Sequence, residues 1–181
     1  MMPQKYREKG FTIMELMIAV AIAGVLVSLA MPTFRDSIKR NRVAMAQDEL
    51  FSALIFARSE AVNRSLPVSL CVSANQTSCS GGAGVVDWSS GWIVFEDANA
   101  NGTLDAGEQA LRVRSALTGA TLSWSSGGSL VYNNQGFTSV TGTFTLCDDD
   151  ASLVYAKSVT VTNTGRVRRS EKTVNGGALA C

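Results

Sequence analysis

From Phe11 to Met31 the chain is apolar apart from one charged residue, Glu15. As a helix rising about 1.5 Å per residue, this run is about 31 Å long, the thickness of a bilayer's hydrocarbon core. Lys5, Arg7 and Lys9 precede it, which orients its N-terminal end toward the cytoplasm. A cleaved secretory signal would have a shorter apolar region closed by a small-residue site. Here Met31-Pro32 follows, and the residues from Thr33 to Leu66 contain neither glycine nor proline. Within them Leu50, Leu54, Ala57 and Ala61 fall on one stripe, with Phe51, Ile55 and Val62 beside it. The pattern predicts one helix from Phe11 to Asn63, about 80 Å long and bent near Pro32. Arg35, Asp36, Lys39, Arg40 and Arg42 mark where it leaves the apolar environment.

Beyond Pro67 the period changes from helical to alternating. PVSLCV, GWIVFE, ALRVR, ATLSW, SLVYN, GTFTLC and SVTVT are short β-rich runs separated by Gly, Asn, Asp and Ser clusters. The prediction is an α+β fold, a long N-terminal helix packed on an antiparallel β-sheet head. Its segments are 11–31 (transmembrane or filament core), 32–66 (amphipathic continuation) and 67–181 (head). Sixteen glycines against three prolines suit tight hairpin turns.

Composition narrows the chemistry. The net charge of +1 gives no overall pull toward nucleic acid. There is no histidine, which removes the commonest general base and the commonest zinc ligand. No G-x-S-x-G, Walker loop or clustered pair of carboxylates is present, so the chain does not read as an enzyme. The four cysteines, Cys71, Cys79, Cys147 and Cys181, contain no C-x-x-C pair. Beside a membrane-targeting segment they point to two disulfides outside the cytoplasm, with three pairings open and free thiols as the alternative. The favoured pairing is Cys71–Cys79, closing the short loop CVSANQTSC, with Cys147–Cys181 pinning the C-terminal residue to a strand.

Glu15 is the residue the apolar run has to explain. A carboxylate at the centre of a membrane helix costs about 2.5–3.5 kcal/mol on insertion scales, so it needs a partner or a purpose. The stretch KGFTIMELMIAVAIAGVLVSLAMPTF resembles the class III signal of type IV pilins and type II secretion pseudopilins. The resemblance implies that residues 1–10 are a leader ending in Gly10, removed by prepilin peptidase. Phe11 becomes the N-methylated N-terminus, and Pro32 falls where family helices kink. It also implies that Glu15 faces the methylated amine of a neighbouring subunit during assembly. Pairing with that ammonium would offset the desolvation that penalises an unpaired buried carboxylate. Ile13-Met14 departs conservatively from the family's usual Leu-Ile.

The order helix, ARSEAVNRS, strand, GWIVFxDxNxNG and LR resembles the head of the FimT, FimU and GspH minor pilins and pseudopilins. Two stretches of that head carry candidate chemistry. Asp97 to Glu108 fits the calcium-loop template D-x-[DN]-x-[DN]-G-x5-E. Asp97, Asn99, Asn101, Thr103, Asp105 and Glu108 would be the ligands. The flanking elements read as strands instead of the two helices of an EF-hand. The competing reading is a hairpin loop whose Asn and Asp bond their own backbone. In NTGRVRRSEK, Asn163 to Lys172, a turn precedes a strand on which Arg166 and Arg168 share one face while Arg169 points the other way. Two guanidiniums about 6.5–7 Å apart suit successive phosphates. The motif lacks interleaved aromatics, so any binding of double-stranded DNA would be nonspecific and salt-dependent. A GRxR sequence here resembles the DNA-binding motif of FimT-type pilins that serve natural transformation. In that reading Arg166 and Arg168 would contact phosphates, and Arg169 or Lys172 would assist. The same arginines would otherwise pair with Asp148, Asp149 and Asp150, or with a neighbouring pilin.

The resulting expectation is a minor pilin of the inner membrane. Its partners are prepilin peptidase, other pilins and double-stranded DNA, and the alternative is a GspH-type pseudopilin of a type II secretion system. Calcium is the one cofactor the sequence raises.

Overall fold

The computed structural model describes residues 10–181, apart from the side chains of 29–33. Residues 1–9 of the expected leader lie outside the described residues. The first element, α1, is a 52-residue helix, Ile13–Arg64. Thr12 caps it: its Oγ1 accepts from the Glu15 backbone N–H at 3.2 Å, and Glu15 adds its charge to the positive first turn. The helix passes through Pro32.

Two compact units divide the chain, one ending at Ile38 and the other spanning Lys39–Cys181. In the first, the large apolar side chains from Phe11 to Val27 are all exposed, Phe11 at 85%. Among the described residues no helix is long and apolar enough to cross a membrane. The described side chains of the apolar run stop at Ser28, short of Met31.

The second unit is the head, built on the C-terminal part of α1 and two antiparallel sheets. The strands are β1 (Val68–Val72), β2 (Val86–Asp87), β3 (Trp92–Glu96), β4 (Ala110–Arg114), β5 (Ala120–Trp124), β6 (Ser129–Tyr132), β7 (Gly142–Asp148), β8 (Lys157–Val161) and β9 (Val167–Ser170). One sheet has the order β4-β3-β1-β6 and the other β2-β5-β7-β8-β9. Residues of α1 at helical spacing, Val43, Ala46, Leu50, Ala53, Leu54, Ala57 and Ala61, are buried against alternate residues of both sheets. Those include Leu70, Trp92, Leu122, Phe144, Val159 and Val161. Small alanines on the stripe let the helix approach the sheets closely. Ile55 and Val62, expected to flank the stripe, are instead 41% and 48% exposed. Trp124 stacks on Phe144 with ring centroids 4.0 Å apart, and Trp88 meets Phe144 edge-on at 5.1 Å.

The apolar runs in β1 and β3 lack alternation because these strands are covered on both faces. Beneath their outer face a small cluster of Cys71, Ile93 and Phe95 packs with Cys79 and Leu104. The disulfide Cys71–Cys79 and the loop after β3 close over it, with the Leu104 N–H 3.2 Å from Cys79 Sγ. The outer face of the second sheet is crossed by the C-terminal segment. Its Val174 N–H donates to Thr143 Oγ1 at 2.8 Å, and Ser158 Oγ donates to the Lys172 carbonyl at 2.7 Å. The disulfide Cys147–Cys181 pins the end of this segment to β7.

Candidate functional site

At the N-terminal motif the fold makes no demand for the residues present. Among the described residues a methyl group added at Gly10 would meet nothing within 4 Å, and Gly10 is not among the glycines with positive φ. Phe11 and Glu15 are both exposed. Thr12 and Glu15 also stand as the first and fourth residues of a T-x-x-E capping box. Of that pair the structure shows the Thr12 half, its Oγ1 accepting from the Glu15 N–H.

The second candidate is the turn before β9. β9 pairs with β8 in the register Val161↔Val167, Thr160↔Arg168 and Val159↔Arg169. Val159, Val161 and Val167 are core residues, so Arg169 lies on the core side and Arg168 on the outer side. Arg166 and Arg168 flank the buried Val167 and are both exposed. Among the described residues neither forms an ion pair, whereas Arg64, Arg114 and Arg169 do. Arg169, expected to assist in DNA binding, has other partners on the core side. Its guanidinium stacks over Phe51 of α1 at 4.2 Å and pairs with Asp48 at 2.9 Å, so it clasps the helix. Arg112 of β4 does the same on Phe56 at 4.2 Å. Lys172 is exposed four residues beyond Arg168, next to the start of β8.

Of the acidic residues that could pair with these arginines, Asp148 and Asp150 are engaged elsewhere. The carboxylate oxygens of Asp148, Asp149 and Asp150 lie within 4.8 Å of one another, and Lys39 of α1 bonds Asp150 and lies 3.5 Å from Asp148. The hydrogen bond to Asp150, opposed by partial burial, raises the Lys39 pKa. Asp148 is fully buried and its Oδ1 accepts from the Ser152 N–H at 2.6 Å.

Arg58 of α1 holds the turn in place, a role that no local pattern in the sequence signals. Its Nε donates to the Gly136 carbonyl at 3.0 Å and its Nη2 to the Thr164 carbonyl at 3.1 Å. Gly165, at φ 71°, sits so close to Gly136 that a Cβ would fall 1.8 Å from the Gly136 oxygen. Only glycine fits there. The one signal available is that Arg58 belongs to ARSEAVNRS, the helical stretch that carries the family resemblance.

In the acidic loop the side-chain oxygens converge on the loop's own backbone. Fully buried Asp97 accepts from Ser69 Oγ at 2.6 Å, from the Asn101 N–H at 3.0 Å and from the Gly102 N–H at 2.8 Å. Asn99 and Asn101 accept from N–H groups two residues on, the latter from Thr103. Glu108 accepts from the N–H groups of Ala98 and Asp105. Asp105 accepts from the Asn99 and Asn101 amides, which hold its carboxyl below the usual carboxylate range. This is the arrangement of an Asx-closed hairpin loop.

Known proteins share both the N-terminal motif and the head. Residues 46–165 match the family described as Type II transport protein GspH, and residues 5–31 match the prokaryotic N-terminal methylation motif. A fimbrial protein of Pseudomonas aeruginosa is 46% identical over 55 residues, 30% of this chain and 35% of that one. The type IV major alpha-pilin of Moraxella bovis is 42% identical over 43 residues, 24% of this chain and 27% of that one. The chain thus spans between about a quarter and about a third of the length of these curated relatives. The crystal structure of the type IV minor pilin FimU of Pseudomonas aeruginosa superposes with a TM-score of 0.58 at 20% identity, over 76% of this chain and 96% of that one. The minor pseudopilin EpsH from the type 2 secretion system of Vibrio cholerae superposes at 0.51 and 11% identity, over 71% and 96%. At these identities the likeness is one of fold. With the helix-on-sheet head matched across residues 46–165 and the methylation motif preceding it, the chain belongs to the family described as Type II transport protein GspH.

Proposed function

We propose that the chain is a minor pilin, built into a type IV pilus or priming or capping it, which binds DNA nonspecifically during natural transformation. Prepilin peptidase cuts between Gly10 and Phe11, and Phe11 is N-methylated. Residues 11–31 hold the precursor in the inner membrane with its head in the periplasm, then pack in the filament core. Glu15 pairs with the methylated amine of a neighbouring subunit. The observation that carries the assembly role is the row of exposed apolar side chains from Phe11 to Val27, which needs lipid or other helices to cover it. Gly10 supports the cleavage site, because among the described residues neither packing nor backbone conformation requires glycine there.

For DNA, Arg166 and Arg168 supply two exposed guanidiniums that form no ion pair among the described residues, with Lys172 further along and Arg169 paired with Asp48 of the helix. Each phosphate left without its cation lowers the slope of log K against log salt by about 0.9, so Arg166→Gln/Arg168→Gln lowers it by about 1.8. Duplex binding by the purified chain across a salt series tests this. An unchanged slope and affinity in the double variant would remove the role. The match to the GspH description favours one competing reading, a pseudopilin of a type II secretion system. Deletion separates the two: loss of pili or of transformation supports the minor pilin, and failed protein export with pili intact supports the pseudopilin.

A further inference from the structure

The arginine motif contains no aromatic residue, but the fold brings one to it from about thirty residues away in sequence. The loop between β6 and β7 lies against the turn before β9. The Thr138 N–H donates to the Asn163 carbonyl at 3.0 Å, and Arg58 bonds the Gly136 and Thr164 carbonyls, tying both loops to the same helix. Phe137 stands between Gly136 and Thr138. It is 45% exposed, and among the described residues of the head it is the one aromatic side chain in the exposed class. Its loop is tightly bonded. Asn133 Oδ1 accepts from the N–H groups of Gln135 and Phe137, and the Asn133 N–H donates back to the Phe137 carbonyl. Phe137 therefore stands on a bonded backbone in the loop that abuts the turn leading to Arg166, and both residues are exposed.

An exposed aromatic ring on one loop and exposed guanidiniums on the loop next to it are the parts that bind single-stranded nucleic acid, the ring stacking a base and the cations holding the backbone. A closed duplex keeps its base faces covered, so it meets the arginines but not the ring. We infer that this composite surface takes single-stranded DNA in preference to duplex, with a base stacked on Phe137 and neighbouring phosphates on Arg166 and Arg168. The inference rests on the proposed DNA-binding role and names its ligand class.

The test uses the full chain in detergent and two labelled probes of equal length, an oligo-thymidine strand and a duplex closed by hairpins at both ends. Wild type, Phe137→Ala, Phe137→Tyr and Arg166→Gln/Arg168→Gln are compared by fluorescence anisotropy. Stacking of one base predicts that Phe137→Ala weakens single-strand binding by about tenfold, leaves duplex binding unchanged, and is rescued by tyrosine. The arginine variant should lose both probes. If Phe137→Ala leaves single-strand binding intact, or weakens both probes alike, the stacking inference is overturned while arginine-dependent duplex binding still supports the broader role. If wild type binds neither probe, or the arginine variant binds as wild type does, the broader role fails and the inference with it.

Discussion

Arg58→Met keeps the aliphatic stem but removes both hydrogen bonds that fix the turn before β9. The bond to Gly136 is the costlier loss, because Gly136 is buried and its carbonyl is left with less access to water. A hydrogen bond from a charged donor contributes about 1.5–3 kcal/mol in such a setting. The bond to Thr164, an exposed residue, is replaced by water at a cost of about 0.5–1 kcal/mol. Together these give about 2–4 kcal/mol. For a domain the size of this head each kcal/mol lowers Tm by about 3 °C, so the variant should melt about 6–12 °C lower. Arg58→Lys, which keeps the charge but reaches one carbonyl at a time, should fall between the two. Calorimetry or circular dichroism of the three proteins in parallel reads the effect. The same substitution should also weaken duplex DNA binding, because the turn that presents Arg166 is no longer held. A Tm for Arg58→Met within error of wild type would refute the assignment of this residue as the staple of the turn.

Glu15→Leu should leave cleavage and membrane insertion intact but strongly reduce incorporation into filaments, read by immunoblot of sheared surface fractions against membranes; normal incorporation would sink the pairing with the neighbour's amine. Replacing Cys147 and Cys181 by serine opens a loop of sequence separation 34, and replacing Cys71 and Cys79 opens one of 8. Loop-closure entropy puts the losses at about 4 and about 2.5 kcal/mol, so the first variant should have the lower denaturation midpoint, and the reverse order would contradict the role given to the C-terminal strap. Asp105 and Glu171 are held below the ordinary carboxylate range, Asp105 by the Asn99 and Asn101 amides and Glu171 by Lys157. Their contribution is full above their unfolded pKa values and is lost as pH falls through the lower folded values. Asp105→Asn should therefore flatten the acid-side decline of Tm relative to wild type, and identical pH profiles would show that the amide contacts contribute nothing.

The elements easiest to read from the sequence were those whose period is enforced by burial. Leu50, Leu54, Ala57 and Ala61 lie on the buried stripe, and the run PVSLCV becomes a strand buried on both faces. β2 was not legible because two residues, Val86 and Asp87, carry no periodicity. The opposite facing of Arg168 and Arg169 follows from strand alternation alone. That Arg169 is engaged by Phe51 and Asp48 does not, since those contacts join residues more than a hundred positions apart. Arg58 was missed for the same reason, its partners being 78 and 106 residues away. Phe137 had no neighbouring charge in sequence to mark it. The template D-x-[DN]-x-[DN]-G-x5-E is shared by loops that bind cations and loops that bond their own backbone, because both use Asx turns around a glycine. Spacing alone does not separate the two.

Mass spectrometry of the chain recovered from sheared surface filaments tests the central claim most directly. The account predicts a protein that lacks residues 1–10 and begins with N-methylated Phe11. An intact N-terminus, cleavage elsewhere, or absence of the chain from filaments while it remains in the membrane would contradict it.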